Sequence, residues 1–146
     1  MNSTPGLSRR LALVAALLPW LTVVLPIRST RKELGTEEFL FDEVSFGLLV
    51  MAVLFAVTAV LAQVPATRRW WSWCAAGVSL AAAVVLAGST VPGEVIWDGV
   101  DSQGRPTGGV EPILPDVGWA ILVVAWAAMT AAAVMALVRR RRQALK

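Results

Sequence analysis

Ten carboxylates and thirteen basic side chains supply the charge in this chain of 146 residues, which has one cysteine, no histidine and no tyrosine. Nucleophilic hydrolysis needs a Ser or Cys beside a base. With histidine missing and no charged residue flanking Cys74, that constellation does not assemble, and Cys74 reads as a small packing residue. A metal-assisted reaction would have to draw on one loop that carries Glu94, Asp98, Asp101, Glu111 and Asp116. Hard cations take carboxylate and carbonyl oxygens, yet the spacing does not match an EF-hand. Asp98, Asp101 and Glu111 come nearest to a metal site, and the ordinary reading is a solvated acidic loop. The expectation is a non-enzymatic protein with no cofactor.

The apolar blocks hold hydroxyls and amides but no charge. Proton- and ion-coupled carriers usually need an ionisable group inside the bilayer, so a drug-proton antiporter is disfavoured. Thr58, Gln63 and Thr130 are the polar residues through which copies of the chain could line a path. Hydroxyls in a helix generally satisfy themselves on the preceding turn, which makes packing the simpler role.

Of the whole chain, 57% is hydrophobic and 16% charged, with the apolar residues in long blocks. That pattern predicts an all-α membrane protein, a four-transmembrane-helix bundle built as two hairpins. The spans fall at about 11–27, 44–64, 70–91 and 117–138 in a single membrane domain. Outer loops at 28–43 and 92–116, an inner turn at 65–69 and a cationic tail at 139–146 complete it. The second run, 44–64, is about 31 Å long at 1.5 Å per residue, enough for one crossing. Pro19 should kink the first helix, and Pro65 should stop the second. Thr36 is placed to cap the second helix, with Glu37 and Glu38 in its first turn. In the third, Ala75, Ser79, Ala83 and Ala87 set small residues four apart for close packing. The Gly- and Pro-rich segment from Pro92 to Pro115 predicts a small β-hairpin of Glu94 to Trp97 with Gly109 to Glu111, turning at Asp101 to Gly104. Asp116 should cap the fourth helix.

Charge fixes an expected orientation. Arg9 and Arg10, Arg68 and Arg69, and Arg139, Arg140, Arg141 and Arg142 with Lys146 cluster at one set of helix ends, free of carboxylates. All ten carboxylates fall on the other side. Positive residues near short loops stay in the cytoplasm, so both termini and the middle turn are expected inside, in the plasma membrane of a bacterium. The charge thus belongs to topology and not to nucleic-acid binding. Trp70, Trp71 and Trp73 mark one interface; Trp97, Phe39, Phe41 and Trp119 mark the other. Trp97 in a loop, with Phe39 and Phe41, is a candidate anchor for a partner protein. Beyond the lipid bilayer, the expected partner is another membrane protein or a second copy. Two functions remain open: an accessory subunit or assembly factor of a larger membrane complex, and a small homo-oligomeric transporter or channel, holin-like pore formers included.

Overall fold

A proline sets the shape of the first helix. In the computed structural model, α1 (Gly6–Leu17) runs as α-helix and then tightens into a 3-10 turn, Leu18–Val23. Pro19 has no N–H to offer the preceding turn, and its ring crowds the carbonyl four residues back, so the α-helix gives way there. The Thr22 hydroxyl closes the turn by donating to the Pro19 carbonyl at 2.6 Å. The structure describes residues 6–30, 37–38, 40–41, 45–67, 70–89, 94–95, 99–105, 108, 110–111 and 113–145.

The second helix, α2 (Phe46–Gln63), is apolar apart from Thr58 and Gln63. Its end is dictated by Pro65, which disfavours helical geometry in the residue before it; Val64 is extended, at φ −77° and ψ 123°. A 3-10 turn follows at Pro65–Thr67, where the Thr67 hydroxyl donates to the Leu61 carbonyl, which the helix end leaves over, and to the Val64 carbonyl. The third helix, α3 (Trp71–Gly88), returns, and α4 (Val117–Ala144) starts from Asp116. The Asp116 carboxylate accepts from the Val117 N–H at 2.6 Å.

These four helices are long and apolar enough to cross a membrane. Each packs on its neighbours in sequence, and α1 closes the ring against α4, giving a square antiparallel bundle. The centre is small-residue packing with a few larger fillers. Ala12, Ala15, Ala52, Ala75, Ala125 and Ala132 are buried, and Phe55, Met51, Leu122 and Met129 fill the space between them. Small residues let the backbones approach and gain van der Waals contact, the main attraction left when the surroundings are as apolar as the core. Outward the helices expose Leu17, Val60, Leu80, Val84 and Val124, as lipid contact requires.

One end of the bundle carries short strands. β1 (Arg28–Thr30) pairs antiparallel with β2 (Glu37–Glu38) and, on its other edge, with β5 (Ile113–Pro115). β3 (Glu94–Val95) pairs with β4 (Val110–Glu111) in a separate two-stranded sheet. The arginine run of α4 lies at the opposite end.

Several boundaries differ from the sequence reading. The first span begins at Gly6, so Arg9 and Arg10 already lie on the helix. Thr36 is outside the described residues, but Glu37 and Glu38 belong to β2 and not to a helical first turn, and α2 starts only at Phe46. The backbone hydrogen bonds to β1 outweigh the local helix signal. At the other terminus α4 continues through Arg139 to Arg142 as far as Ala144, whereas the sequence reading ends the span at 138 and leaves 139–146 as a cationic tail. Basic side chains in a final turn favour the negative end of the helix dipole, which helps it persist. On α3 the buried face follows Ala75, Ser79, Ala82 and Leu86, leaving Ala83 half-buried and Ala87 exposed.

Candidate functional site

Two features stand out from the packed core: a polar knot at the strand end and a furrow between α3 and α4.

The knot is built by residues that leave and re-enter the helices. Arg28, the first residue of β1, is 4% exposed, and its Nη1 donates to the Ser89 carbonyl at 2.7 Å. Ser89 follows the last residue of α3, so the guanidinium meets a carbonyl at the negative end of that helix. The next residue, Ser29, donates from Oγ to Asp116 Oδ2 at 3.0 Å. Asp116 thereby holds β1 through one carboxylate oxygen and opens α4 through the other. Main-chain bonds tighten the same junction: the Asp116 N–H donates to the Ile27 carbonyl, and the Gly118 N–H to the Pro26 carbonyl, each at 2.9 Å. Leu40, itself fully buried, donates its N–H to the Thr22 carbonyl at 3.1 Å. The cap therefore ties the ends of α1 and α3 to the start of α4. Phe41, the residue after Leu40, is 61% exposed.

The furrow runs along the seam of α3 and α4. At its waist the Trp126 indole N–H donates across the seam to the Ser79 carbonyl at 2.9 Å. An indole N–H in apolar surroundings needs such an acceptor, and a carbonyl within a helix can accept a second bond. Trp126 and Ala83 belong to two concavities, about 240 Å³ toward the strand end and about 250 Å³ toward the arginine end. The second shares Leu137 with a third, about 440 Å³, bounded by Trp73, Arg140 and Arg141. Arg140 is positioned by its Nη1, which donates to the Ser72 hydroxyl at 3.3 Å.

The residues singled out from sequence are distributed over this frame without converging on one place. Thr58 is buried in the core, and its hydroxyl donates to the Leu54 carbonyl on its own helix at 2.8 Å. Thr130 borders the furrow and donates to Trp126 O at 2.9 Å, while Gln63 is exposed at the end of α2. Asp101 Oδ1 accepts from the Gln103 and Arg105 N–H groups at 2.8 and 2.9 Å, closing its own loop. In that loop Gly104 has φ +77°, a conformation that suits glycine. Glu111 contributes its backbone to β4. Phe39, Trp97, Asp98, Arg68 and Arg69 lie outside the described residues. Arg9, Arg139 and Arg140 are half-buried at their helix ends, and Arg10, Arg141 and Arg142 are exposed.

Sequence reasoning overlooked Arg28, Ser29, Gly118 and Trp126. For Trp126 a signal existed, an indole N–H deep in an apolar run that must find an acceptor. For Arg28 there was none, since a charge after a span ordinarily reads as solvated loop. In comparisons with family models, curated proteins and solved structures, no match to the chain was found.

Proposed function

We propose that this protein is a non-enzymatic, multi-pass subunit of the bacterial plasma membrane that supports the assembly of a larger membrane complex through its capped end. The single observation that carries this reading is the cap. Two loops far apart in sequence share one three-stranded sheet, pinned by the buried Arg28 and by Ser29 on Asp116. A loop that only connects helices has no need of such a fixture; a surface that must keep its shape for a partner does. Phe41, held out beside buried Leu40, is the contact offered to the extracytoplasmic part of another membrane protein. The clusters of arginine at the opposite end support a cytoplasmic side for that end and for both termini.

The interior is consistent with a structural role. Thr22, Thr58 and Thr130 spend their hydroxyls on carbonyls of their own helices, and the space between the helices is filled by alanine, methionine, leucine and phenylalanine.

The test is recovery of the tagged protein from its own membranes in mild detergent, with the tag after Lys146, followed by native mass determination. A membrane protein recovered in fixed stoichiometry with the wild type, and lost with Phe41→Ser, is the expected outcome. Recovery of the chain solely as a defined homo-oligomer that passes ions or solutes in vesicles would replace this reading with a transporter or pore.

A further inference from the structure

We infer that the furrow between α3 and α4 is a binding site for an anionic phospholipid, with the headgroup phosphate at Arg140 and Arg141 and an acyl chain lying toward Trp126. From Arg140 to Trp126 is fourteen residues of α4, about 21 Å along the helix. One leaflet, hydrocarbon and headgroup together, is about 20–22 Å deep. The two concavities toward the arginine end, which share Leu137 in their walls, cover this stretch.

The lining changes character where a lipid does. Toward the waist it is apolar, with Ala83, Val134 and Leu137 along the walls and the Trp126 ring fixed across the seam by its bond to Ser79 O. At the other extremity it becomes cationic and aromatic: Arg140 and Arg141 stand beside Trp73, which is largely exposed. Tryptophan favours the headgroup level, and an arginine pair offers planar donor sets suited to a phosphate. Ser72 fixes where the Arg140 guanidinium sits. The charge selects the headgroup class, because no Asp or Glu occurs between Glu43 and Glu94 or after Asp116, so the bundle's arginine end carries no acidic side chain to repel an anionic lipid. Basic pockets between membrane helices are suited to anionic headgroups. A zwitterionic lipid would bring a cationic group to the same arginines. The inference does not depend on the proposed function, nor on which leaflet the arginine end occupies.

The experiment titrates detergent-purified full-length protein with phosphatidylglycerol and, separately, with phosphatidylcholine of the same acyl chains, and follows bound lipid by native mass spectrometry. The wild type should retain one phosphatidylglycerol in preference to phosphatidylcholine. Removing both charges with Arg140→Gln and Arg141→Gln should weaken phosphatidylglycerol binding roughly thirtyfold, about fivefold for each arginine, and leave phosphatidylcholine nearly unchanged. Ala83→Trp, which fills the waist without touching the arginines, should reduce retention of both lipids. Arg142→Gln lies off the furrow and should have a smaller effect than Arg141→Gln, which is itself exposed and can be replaced without disturbing the fold. Equal retention of the two lipids by the wild type would overturn the inference. So would equal effects of Arg141→Gln and Arg142→Gln, which would show diffuse attraction instead of a site. A dimer that persists at saturating phosphatidylglycerol and disappears with Ala83→Trp would assign the furrow to a second copy and likewise reject the lipid.

Discussion

Gly118 lies so close to the Pro26 carbonyl that a Cβ built on it would stand 2.5 Å from the oxygen and 3.0 Å from the Ile27 α-carbon. The contact is with backbone, which cannot swing aside as a side chain can. It is also the place where the chain leaving α1 crosses the first turn of α4, with the Gly118 N–H bonded to the same carbonyl. Gly118→Ala must therefore push the cap off the helix, at a cost of about 1–3 kcal/mol. Gly77→Ala, on a part of α3 with open space around it, should be neutral or mildly stabilising, since alanine is the better helix former by about 1 kcal/mol. Unfolding of the two variants in detergent, followed by helical circular dichroism, checks the contrast. Equal stability of both would mean the crossing is looser than 2.9 Å hydrogen bonding implies.

The bond between Ser29 and Asp116 predicts a coupling between residues 87 positions apart. Asp116→Ala loses the cap of α4 and the tie to β1 together, and should cost about 1–2 kcal/mol. Ser29→Ala removes only the tie. In a double-mutant cycle the pair should show a coupling of about 0.5–1.5 kcal/mol. Additive effects within about 0.3 kcal/mol would mean that the tie does not contribute to holding the cap.

Much of the helical frame was legible because it rests on local rules. Long apolar runs, Pro65 and the Asp116 cap each act within a few residues, and helices follow from them. At the strand end, the pairing of Glu94–Val95 with Val110–Glu111 falls within the two segments read from the sequence, but the three-stranded sheet was not legible, because its determinants are non-local. Strands of two or three residues show no alternating pattern, and Glu37–Glu38 looked like a helix start until the Arg28–Thr30 backbone was available to pair with it. Arg28 illustrates the same limit: its burial depends on Ser89, 61 residues away. Small residues spaced four apart on α3 also misled. Four residues turn a helix by about 40° more than one full turn, so a register that starts on the buried face at Ala75 has left it by Ala87.

That drift yields a test on two adjacent alanines. Ala82 is 2% exposed and faces the bundle, whereas Ala81 is exposed on the outer surface of α3. Ala82→Leu forces three extra carbons between closely packed helices and should cost about 1–3 kcal/mol. Ala81→Leu adds the same atoms against surroundings as apolar as leucine itself, so its effect should stay within about 0.5 kcal/mol. If Ala81→Leu proved the more damaging in detergent unfolding, the rotation of α3 within the bundle would have to be redrawn.

Sidedness can be read chemically, because exposed Cys74 is the chain's single thiol and can be replaced by serine first. In that background Ser102→Cys places a thiol in the exposed loop at the strand end, and Thr67→Cys places one in the turn at the opposite end. An impermeant maleimide added to whole cells should label the former and spare the latter, with both labelled after lysis. The reverse pattern would put the arginine end outside, against the bias that keeps positive charge in the cytoplasm. Deleting residues 139–142 adds a finer check. Arg9 with Arg10 and Arg68 with Arg69 remain as inner determinants, so labelling at Ser102→Cys should fall only in proportion to the amount of protein inserted. A mixed population, with Thr67→Cys newly reactive, would show instead that the α4 arginines dominate orientation, which the agreement of three separate clusters argues against.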